Sequence, residues 1–272
     1  MTSLVRGRGA ILPGSLGLLV AVACASCAPD EPRWTPLFNG RDLEGWTPKI
    51  RGYEPGEDPM TTFRVENGLL TVGYERYGDF GGRFGHLFYR EPFSRYRLLV
   101  EYRFVGEQAS GGEAWARANS GVMIHAQSPG SMLRDQDFPV SLEAQLLAGS
   151  GAEERPTANL CTPGTQVMMA GRPVDEHCLR SSTPTYPYDR WVVVELIVRG
   201  DRSVVHVVEG DTVLAYERPT VGGGMVNGYD PAAKPDGTSL SGGYVALQSE
   251  SHPIQFRRVL IRPLSDGGSE PE

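Results

Sequence analysis

The sequence lacks the features by which several classes of protein are recognised. No segment keeps a helical period of apolar residues over several turns, so a helical fold is excluded. No cluster of Lys and Arg opposes the formal net charge of −7, which makes nucleic acid a poor partner. The chain has no GxSxG elbow, P-loop, HExxH motif or dinucleotide fingerprint, so the chemistries that depend on these motifs lack their residues.

Cysteine is scarce, with four residues in a chain of 272. Cys161 and Cys178 lie in the main part of the chain, and an even pair in an oxidising compartment predicts a disulfide. The bond would close a loop of a size for which chain-entropy models give ~3 kcal/mol of stabilisation. The alternative is that both cysteines are metal ligands, but no CxxC or paired-histidine spacing supports a metal site.

The other two cysteines end an N-terminal leader. Arg6 and Arg8 precede an apolar run over residues 10–25, which is typical of a signal peptide and short for a spanning helix of ~20 apolar residues. Small residues before Cys24 and before Cys27 resemble a bacterial lipobox, and Cys24 fits it better. We therefore expect an exported lipoprotein, periplasmic or on the cell surface, that meets a membrane only through its lipid anchor. An ordinary cleaved signal peptide is the alternative.

Composition and turn signals predict the domain organisation. Residues 1–27 form the leader, 28–33 a short linker, 34–264 a single domain and 265–272 a polar tail. Within the domain, short runs of β-branched and aromatic residues lie between Gly- and Pro-rich turns. Roughly a dozen antiparallel strands without helices are typical of a two-sheet sandwich.

The segment "SLEAQLLAG" (Ser141–Gly149) has the pattern of a strand with one apolar face. Because side chains alternate along a strand, Glu143 and Gln145 lie together on the other face. Other strands predict the same arrangement, and the side chains opposite their apolar faces are His125, Gln248, Glu250, His252, Trp191 and Glu195. Taken singly, Glu195 is read as structural. A solvated sheet face usually mixes both charge signs, whereas the group formed by Glu143, Gln145, His125, Gln248 and Glu250 includes no Lys or Arg. The pattern therefore favours a site over a merely solvated face.

Four segments of the chain resemble one known family. They are "PLFNGRDLEGW" (Pro36–Trp46), "NSGVMIHA" (Asn119–Ala126), "SLEAQLL" (Ser141–Leu147) and "GYVALQSESHPIQFRRVLIRPL" (Gly243–Leu264). In this order they resemble the domain long called DUF1080, now described as the 3-keto-disaccharide hydrolase family (3-keto-glucoside 1,2-lyase/3-keto-2-hydroxy-glucal hydratase). The resemblance covers the whole predicted domain. It implies an all-β, concanavalin A-like jelly-roll sandwich of two antiparallel sheets.

The resemblance also implies an enzyme that cleaves 3-keto-glycosides. A ketone at C3 acidifies the hydrogen on C2, so a general base can remove that proton and the C1 substituent leaves by β-elimination. Addition of water at C1 of the resulting 2-hydroxy-3-keto-glucal completes a net hydrolysis. Such a site needs a base, a donor for the developing enolate oxygen and an acid for the leaving group.

The polar faces supply candidates for the two proton-transfer roles. Glu143 is the expected general base, with His125 as the alternative. Glu250 and His252 would bind substrate hydroxyl groups or assist the leaving group.

Further candidates would bind the substrate without transferring its protons. Gln145, Gln248 or Arg83 would polarise the ketone, Arg83 from the glycine-rich turn "GGRFGH". Trp191 would add an aromatic ring to the sugar-binding surface. The expected partners are a 3-keto disaccharide or glycoside and a sugar 3-dehydrogenase that oxidises it.

No motif predicts a cofactor, although the acidic loop "RDQDF" (Arg134–Phe138) could hold Ca²⁺ through oxygen ligands. Two other functions remain open at this point. A carbohydrate-binding module would place several exposed aromatic rings on the polar face. An ordinary glycosidase of related fold would usually carry a cluster of carboxylates on one strand, where this chain has only Glu143.

Overall fold

Seventeen β-strands and three 3₁₀ turns lie in the part of the chain that the computed structural model describes, residues 33–149 and 153–264. The described residues all belong to one unit, Pro32–Glu272. Cys24, Cys27 and the polar tail fall outside them, so the signal peptide and the lipid anchor stay predictions. No helix in the described ranges is long and apolar enough to cross a membrane.

The strands are short and are joined by turns or irregular loops. In chain order they are β1 (Thr35–Pro36), β2 (Trp46–Ile50), β3 (Phe63–Glu66), β4 (Leu69–Val72), β5 (Gly85–Phe93), β6 (Arg95–Phe104), β7 (Asn119–Ala126), β8 (Leu142–Leu147), β9 (Asn159–Cys161), β10 (Thr165–Met169), β11 (Arg172–Pro173), β12 (Cys178–Leu179), β13 (Val192–Arg199), β14 (Ser203–Val208), β15 (Asp211–Val221), β16 (Gly243–Ser249) and β17 (Ile254–Pro263). The 3₁₀ turns are Ala114–Ala116, Pro129–Ser131 and Pro231–Ala233.

These strands form two antiparallel sheets, which confirms the predicted all-β jelly-roll sandwich. The larger sheet has ten strands in the order β11-β10-β15-β14-β13-β6-β17-β4-β3, with β1 also paired to β17. The smaller sheet has seven strands in the order β12-β9-β8-β7-β16-β5-β2. Most neighbours are far apart in sequence, as the connections of a jelly roll require.

Alternation along the central strands places apolar side chains between the two sheets. Val194 and Leu196 on β13 turn inward from the larger sheet, and Leu142 and Leu146 on β8 turn inward from the smaller one. Burying such a side chain stabilises the fold by roughly 1.5–3 kcal/mol. Since successive side chains on a strand point to opposite faces, the residues between these inward side chains of the smaller sheet turn away from the core.

We call the outward face of the seven-stranded sheet the site face. Glu143 and Gln145 of β8 lie on it, since their strand neighbours belong to the core. Over β16 and β5 it is covered by a second, small apolar cluster that includes Phe88, Ala246 and Met132. Met132 comes from the loop between β7 and β8, so one half of the site face is roofed by that loop and the other half is left open.

Candidate active site

A cavity of about 340 Å³ opens over the uncovered half of the site face. Glu143, Gln145 and Glu250 line its polar part. Its apolar part is lined by Trp115, which is 53% exposed, and by Met225, among other side chains. A concave site with few polar groups among apolar walls is the usual form of a small-molecule pocket. The sequence therefore predicted three of the polar residues that meet here.

Gly121 leaves the space over which the Glu143 carboxylate lies. On β7, Met123 pairs with Glu143 and Gly121 pairs with Gln145. A Cβ atom built on Gly121 would stand 2.4 Å from Oε1 of Glu143, closer than real Cβ contacts allow. The missing side chain thus lets the carboxylate fold across β7 toward β16, where Glu250 follows the strand.

Glu143 and Glu250 form a buried carboxyl pair. They are 6% and 4% exposed, so neither belongs to a solvated sheet face. Burial raises the pKa of Glu143 to about 8. Burial, and in addition the charge of Glu143, raises the pKa of Glu250 well above its usual value. Two such groups do not both ionise at neutral pH, so the pair retains at least one proton.

Polar groups around this pair are positioned to meet a ligand. The Nδ2 atom of Asn159 on β9 donates to Oε1 of Gln145 at 3.0 Å, which orients the Gln145 amide. Oδ1 of Asn119 and Oε2 of Glu250 are buried and have no hydrogen-bond partner among the described residues. Both side chains line the cavity. Buried polar atoms normally have partners, so these are the groups to which substrate hydroxyls would bind.

The structure places His125 away from this cavity. Its backbone has a positive φ of 49°, at a point where the pairing of β7 with β16 changes register. Such a bulge interrupts the alternation on which the predicted common face with Glu143 depended. Nε2 of His125 instead lies 3.1 Å from the carbonyl oxygen of Gly200, and burial lowers the pKa of the ring. The expected placement of His125 beside Glu143 is therefore wrong.

His252 also lies outside the residues that line the cavity. Its ring stacks on Tyr188 at 5.6 Å and meets Phe104 edge-on at 5.7 Å. Burial, helped by the positive charges of Arg117 and Arg155, lowers its pKa to about 4. His252 is therefore a neutral, packed side chain that does not meet Glu143 in the cavity, where the sequence pattern predicted it.

Arg83 and Trp191 lie on other surfaces. Arg83 lines a separate cavity of about 380 Å³ together with Arg51 and Arg134, and its guanidinium lies over the Tyr77 ring at 5.1 Å.

Trp191 belongs to the outer surface of the larger sheet. The guanidinium groups of Arg103 and Arg257 lie over its ring, at 4.7 and 4.6 Å from the centroid. Neither Trp191 nor Arg83 therefore lies where it was expected, because neither lines the cavity with Glu143. Alternation alone could not assign the polar face that carries Trp191 to a sheet, and the glycine-rich turn could not say which surface Arg83 belongs to.

The predicted disulfide between Cys161 and Cys178 is present. Cys161 pairs with Glu143 across β8 and β9, and Cys178 pairs with Cys161 across β9 and β12. The disulfide therefore ties the last strand of the sheet to the strand beside Glu143 and lines the cavity together with His177. The ring of His177 lies within 4.8 Å of both sulfurs, but the sulfurs are bonded to each other.

The acidic loop considered for Ca²⁺ has a different role at Asp137. Its carboxylate accepts hydrogen bonds from the backbone N–H of Phe138 and of Asn227, both at 2.8 Å, and from Nδ2 of Asn227 at 2.7 Å. Three of the lone-pair positions of this carboxylate are thus used by N–H donors of the chain itself. Asp137 instead ties the loop between β7 and β8 to the loop before β16.

Several residues at the site were not found from the sequence. Trp115 lies in an irregular loop, where no periodicity marks a functional face. Gly121 has no side chain by which a sequence pattern could mark it as part of the site. His86 could have been found, since it lies two residues before Phe88 on β5 and therefore shares the site face with it.

Comparisons with known proteins agree with this architecture. The model of a family described as "3-keto-alpha-glucoside-1,2-lyase-like domain" matches residues 33–262. A candidate glycosyl hydrolase from Parabacteroides distasonis ATCC 8503 has a similar structure, with a TM-score of 0.52 and 18% sequence identity over 85% of this chain and 94% of that chain. A second from the same organism has a TM-score of 0.51 and 15% identity over 85% of this chain and 100% of that chain.

At these identities the solved structures show a shared fold alone. No match is found among curated proteins. The family model, however, covers nearly the whole described part of the chain. The chain therefore belongs to the 3-keto-alpha-glucoside-1,2-lyase-like domain family and is a carbohydrate-active jelly-roll protein.

Proposed function

We propose that this protein is an enzyme that cleaves 3-keto-glycosides by proton abstraction at C2 and β-elimination, followed by hydration. The observation that carries the proposal is the buried pair of Glu143 and Glu250, which retains a proton at neutral pH. Such a pair can supply one base and one acid at once. Elimination across C2 and C1 requires both.

In the elimination half, the Glu143 carboxylate takes the C2 proton. The electrons of the C2–H bond form an enolate on the C3 oxygen. The enolate then expels the C1 substituent, which leaves as an alcohol with the proton of the Glu250 carboxylic acid. The ring that remains is a 2-hydroxy-3-keto-glucal.

In the hydration half, water adds at C1 of the glucal and its proton passes to the Glu250 carboxylate. Glu143 returns its proton to C2. Both carboxyl groups are then as they were at the start, and the net reaction is hydrolysis of the glycosidic bond.

The developing enolate needs hydrogen-bond donors. The amide of Gln145 lies on the strand beside Gly121 and lines the cavity with Glu143. Its Oε1 accepts from Asn159, so its Nε2 is the donor to which we assign the C3 oxygen.

The substrate also implies a step before this one. A C3 ketone has to be made by oxidation of the parent glycoside, which is the reaction of a sugar 3-dehydrogenase. Export as a lipoprotein remains part of the proposal and is supported by the leader pattern around Cys24 and Cys27.

The reaction is tested with the full chain, a 3-keto-glucoside and its parent glucoside, by following enone absorbance and sugar release. We expect turnover of the ketone and none of the parent, because only the ketone acidifies C2–H. Glu143→Gln should reduce turnover by about 10²–10⁴-fold, the usual contribution of a general base.

Glu195→Gln is the matched control, since Glu195 pairs with Arg97 on the larger sheet. Equal cleavage of the parent glucoside would show an ordinary glycosidase. Binding of both sugars without cleavage would show a carbohydrate-binding module. Normal turnover by Glu143→Gln would remove Glu143 from the base role.

A further inference from the structure

The polar floor of the cavity continues under the roofed half of the site face. Residues that lie side by side across neighbouring strands form a row on this face. The row runs from Gln145 on β8 through Gly121 on β7 to Gln248 on β16. Gln248 pairs with His86 on β5, and His86 pairs with Lys49 on β2. Neighbouring strands lie about 4.8 Å apart, so Gly121 and His86 are separated by about 10 Å. That distance exceeds one sugar ring and suits two linked rings.

Gln248 and His86 are fully buried, and their polar atoms have no partners. Both are 0% exposed. The amide oxygen and nitrogen of Gln248 and both ring nitrogens of His86 lack a hydrogen-bond partner among the described residues. Leaving such a group unpaired costs roughly 1–3 kcal/mol. Side chains that served packing alone would be apolar, as Met123 and Ala246 are in the adjacent row.

Phe138 contacts His86 on one side and the cavity on the other. The Phe138 ring lies 5.8 Å from the His86 ring and 5.1 Å from the Phe84 ring, and Phe138 also lines the cavity. Its backbone is held by the hydrogen bonds between Asp137 and Asn227. A sugar ring that enters from the cavity would reach His86 and Gln248 by displacing the Phe138 ring.

The geometry points to a second sugar subsite beneath Phe138, in which Gln248 and His86 bind hydroxyl groups of the second ring of a disaccharide. Its ligand class rests on the proposed function. Lys49 ends the subsite, because its Nζ already donates to the carbonyl oxygens of Ile50 and Arg134 at 3.2 and 3.1 Å.

The chemistry of the two side chains fits a neutral polyol. A carboxamide and a neutral imidazole each offer one donor side and one acceptor side, as a hydroxyl group does. Burial, together with the charge of Lys49, lowers the pKa of His86 to about 3, so the ring stays neutral at physiological pH. A charged ligand group would find no opposite charge on Gln248 or His86.

The test is calorimetric binding of two unoxidised sugars, a glucosyl disaccharide and methyl glucoside, to the full chain. Wild type should bind the disaccharide more tightly. Gln248→Leu and His86→Phe should each weaken disaccharide binding by about two- to tenfold, the range for one hydrogen bond, and leave methyl glucoside binding unchanged. Met123→Leu, on the same face, is the control and should change neither affinity.

Stability separates binding from folding in this test. Both substitutions replace an unpaired buried polar group by an apolar one, so the melting temperature should stay level or rise. Unchanged disaccharide affinity in both variants, equal loss for both sugars, or no preference for the disaccharide in wild type would each overturn the subsite. Since no turnover is measured, failure to cleave 3-keto-glucosides would overturn the proposed function and leave this inference standing.

Discussion

At Gly121 the absence of a side chain determines where a catalytic candidate on the neighbouring strand can lie. The Glu143 carboxylate occupies the position that a Cβ atom would need, 2.4 Å from Oε1. Because Gly121 has ordinary negative-φ backbone geometry, it is required for space and not for an unusual conformation. A methyl group here would therefore move the carboxylate without disturbing the strand.

Gly121→Ala should lower turnover of a 3-keto-glucoside by about 10²-fold, since a displacement of about 1 Å at a reacting group has that effect. The melting temperature should change little, because β7 is compatible with alanine. Gly130→Ala is the control, as a Cβ atom there meets nothing within 4 Å. Full activity of Gly121→Ala would show that the position of the Glu143 carboxylate is not critical.

Alternation along the strands predicted which residues share a face but not how deeply each is buried. Glu143, Gln145 and Gln248 lie on the predicted face because period two held along β8 and at the end of β16. His125 does not, because a bulge with positive φ interrupts β7, and nothing in "SGVMIHA" marks it. The raised pKa of Glu143 depends on loops that cover it, which no local pattern reveals.

At the scale of elements, the disulfide holds a wall of the cavity. β12 has two residues and pairs only with β9 in the sheet. Two backbone-paired residues cannot by themselves keep a strand in place. The bond from Cys178 to Cys161 therefore fixes the segment that carries His177 against the strand beside Glu143.

Removal of the disulfide should loosen this wall more than it unfolds the sandwich. The closed loop spans 17 residues, so the double variant Cys161→Ser/Cys178→Ser should lose about 3 kcal/mol of unfolding free energy. Urea denaturation measures the loss, and reduced wild type should match the variant. KM for a 3-keto-glucoside should rise more than kcat falls.

Mass spectrometry of the non-reduced protein should find neither Cys161 nor Cys178 as a free thiol. Two free thiols there, or an unchanged denaturation midpoint in the double variant, would show that β12 is held by other contacts.

The strands were easier to predict than the loops for a physical reason. A strand such as β13 can be recognised in the sequence, because apolar residues that become buried recur at every second position over eight residues. The loop between β7 and β8 is placed by long-range contacts, chiefly those of Asp137 with Asn227, which are 90 residues apart. The sequence thus predicted the sandwich and the face on which Glu143 and Gln145 lie, whereas the loop that covers the other half of this face had to be seen in the structure.

On the scale of the whole molecule, buried titratable groups of two kinds make stability depend on pH in opposite directions. Burial lowers the pKa of His86 to about 3 and those of His206 and His252 to about 4, against 6.5 when unfolded. The unfolded chain therefore binds more protons below pH 6.5. The stability that these rings contribute is present above that pH and is lost as the pH falls toward 4.

Glu143 and Glu250 act in the other direction. Their pKa values are raised by burial, Glu143 to about 8 against 4.5 when unfolded. The folded chain then binds more protons above pH 4.5. The stability from these groups is complete below pH 4.5 and is lost as the pH rises through about 8, at up to about 1.4 kcal/mol per pH unit for each group.

Between pH 4.5 and 6.5 the two effects oppose each other, and the histidines outnumber the two carboxyl groups, since burial also lowers the pKa values of His125 and His177. Above pH 6.5 the contribution of the histidines is complete, whereas the carboxyl groups still act. We therefore expect the unfolding free energy to be highest near pH 6.5 and to fall on both sides, as measured by urea denaturation from pH 4 to pH 9.

Glu143→Gln should flatten the alkaline side of this profile and leave the acid side below pH 4.5 unchanged, since an amide does not titrate. Glu195→Gln, on the outer face of the larger sheet, should leave both sides as in wild type. An alkaline side that keeps its slope in Glu143→Gln would mean that burial does not raise the pKa of Glu143 in the folded protein, and the proton of the buried pair would then have to be held by Glu250 alone.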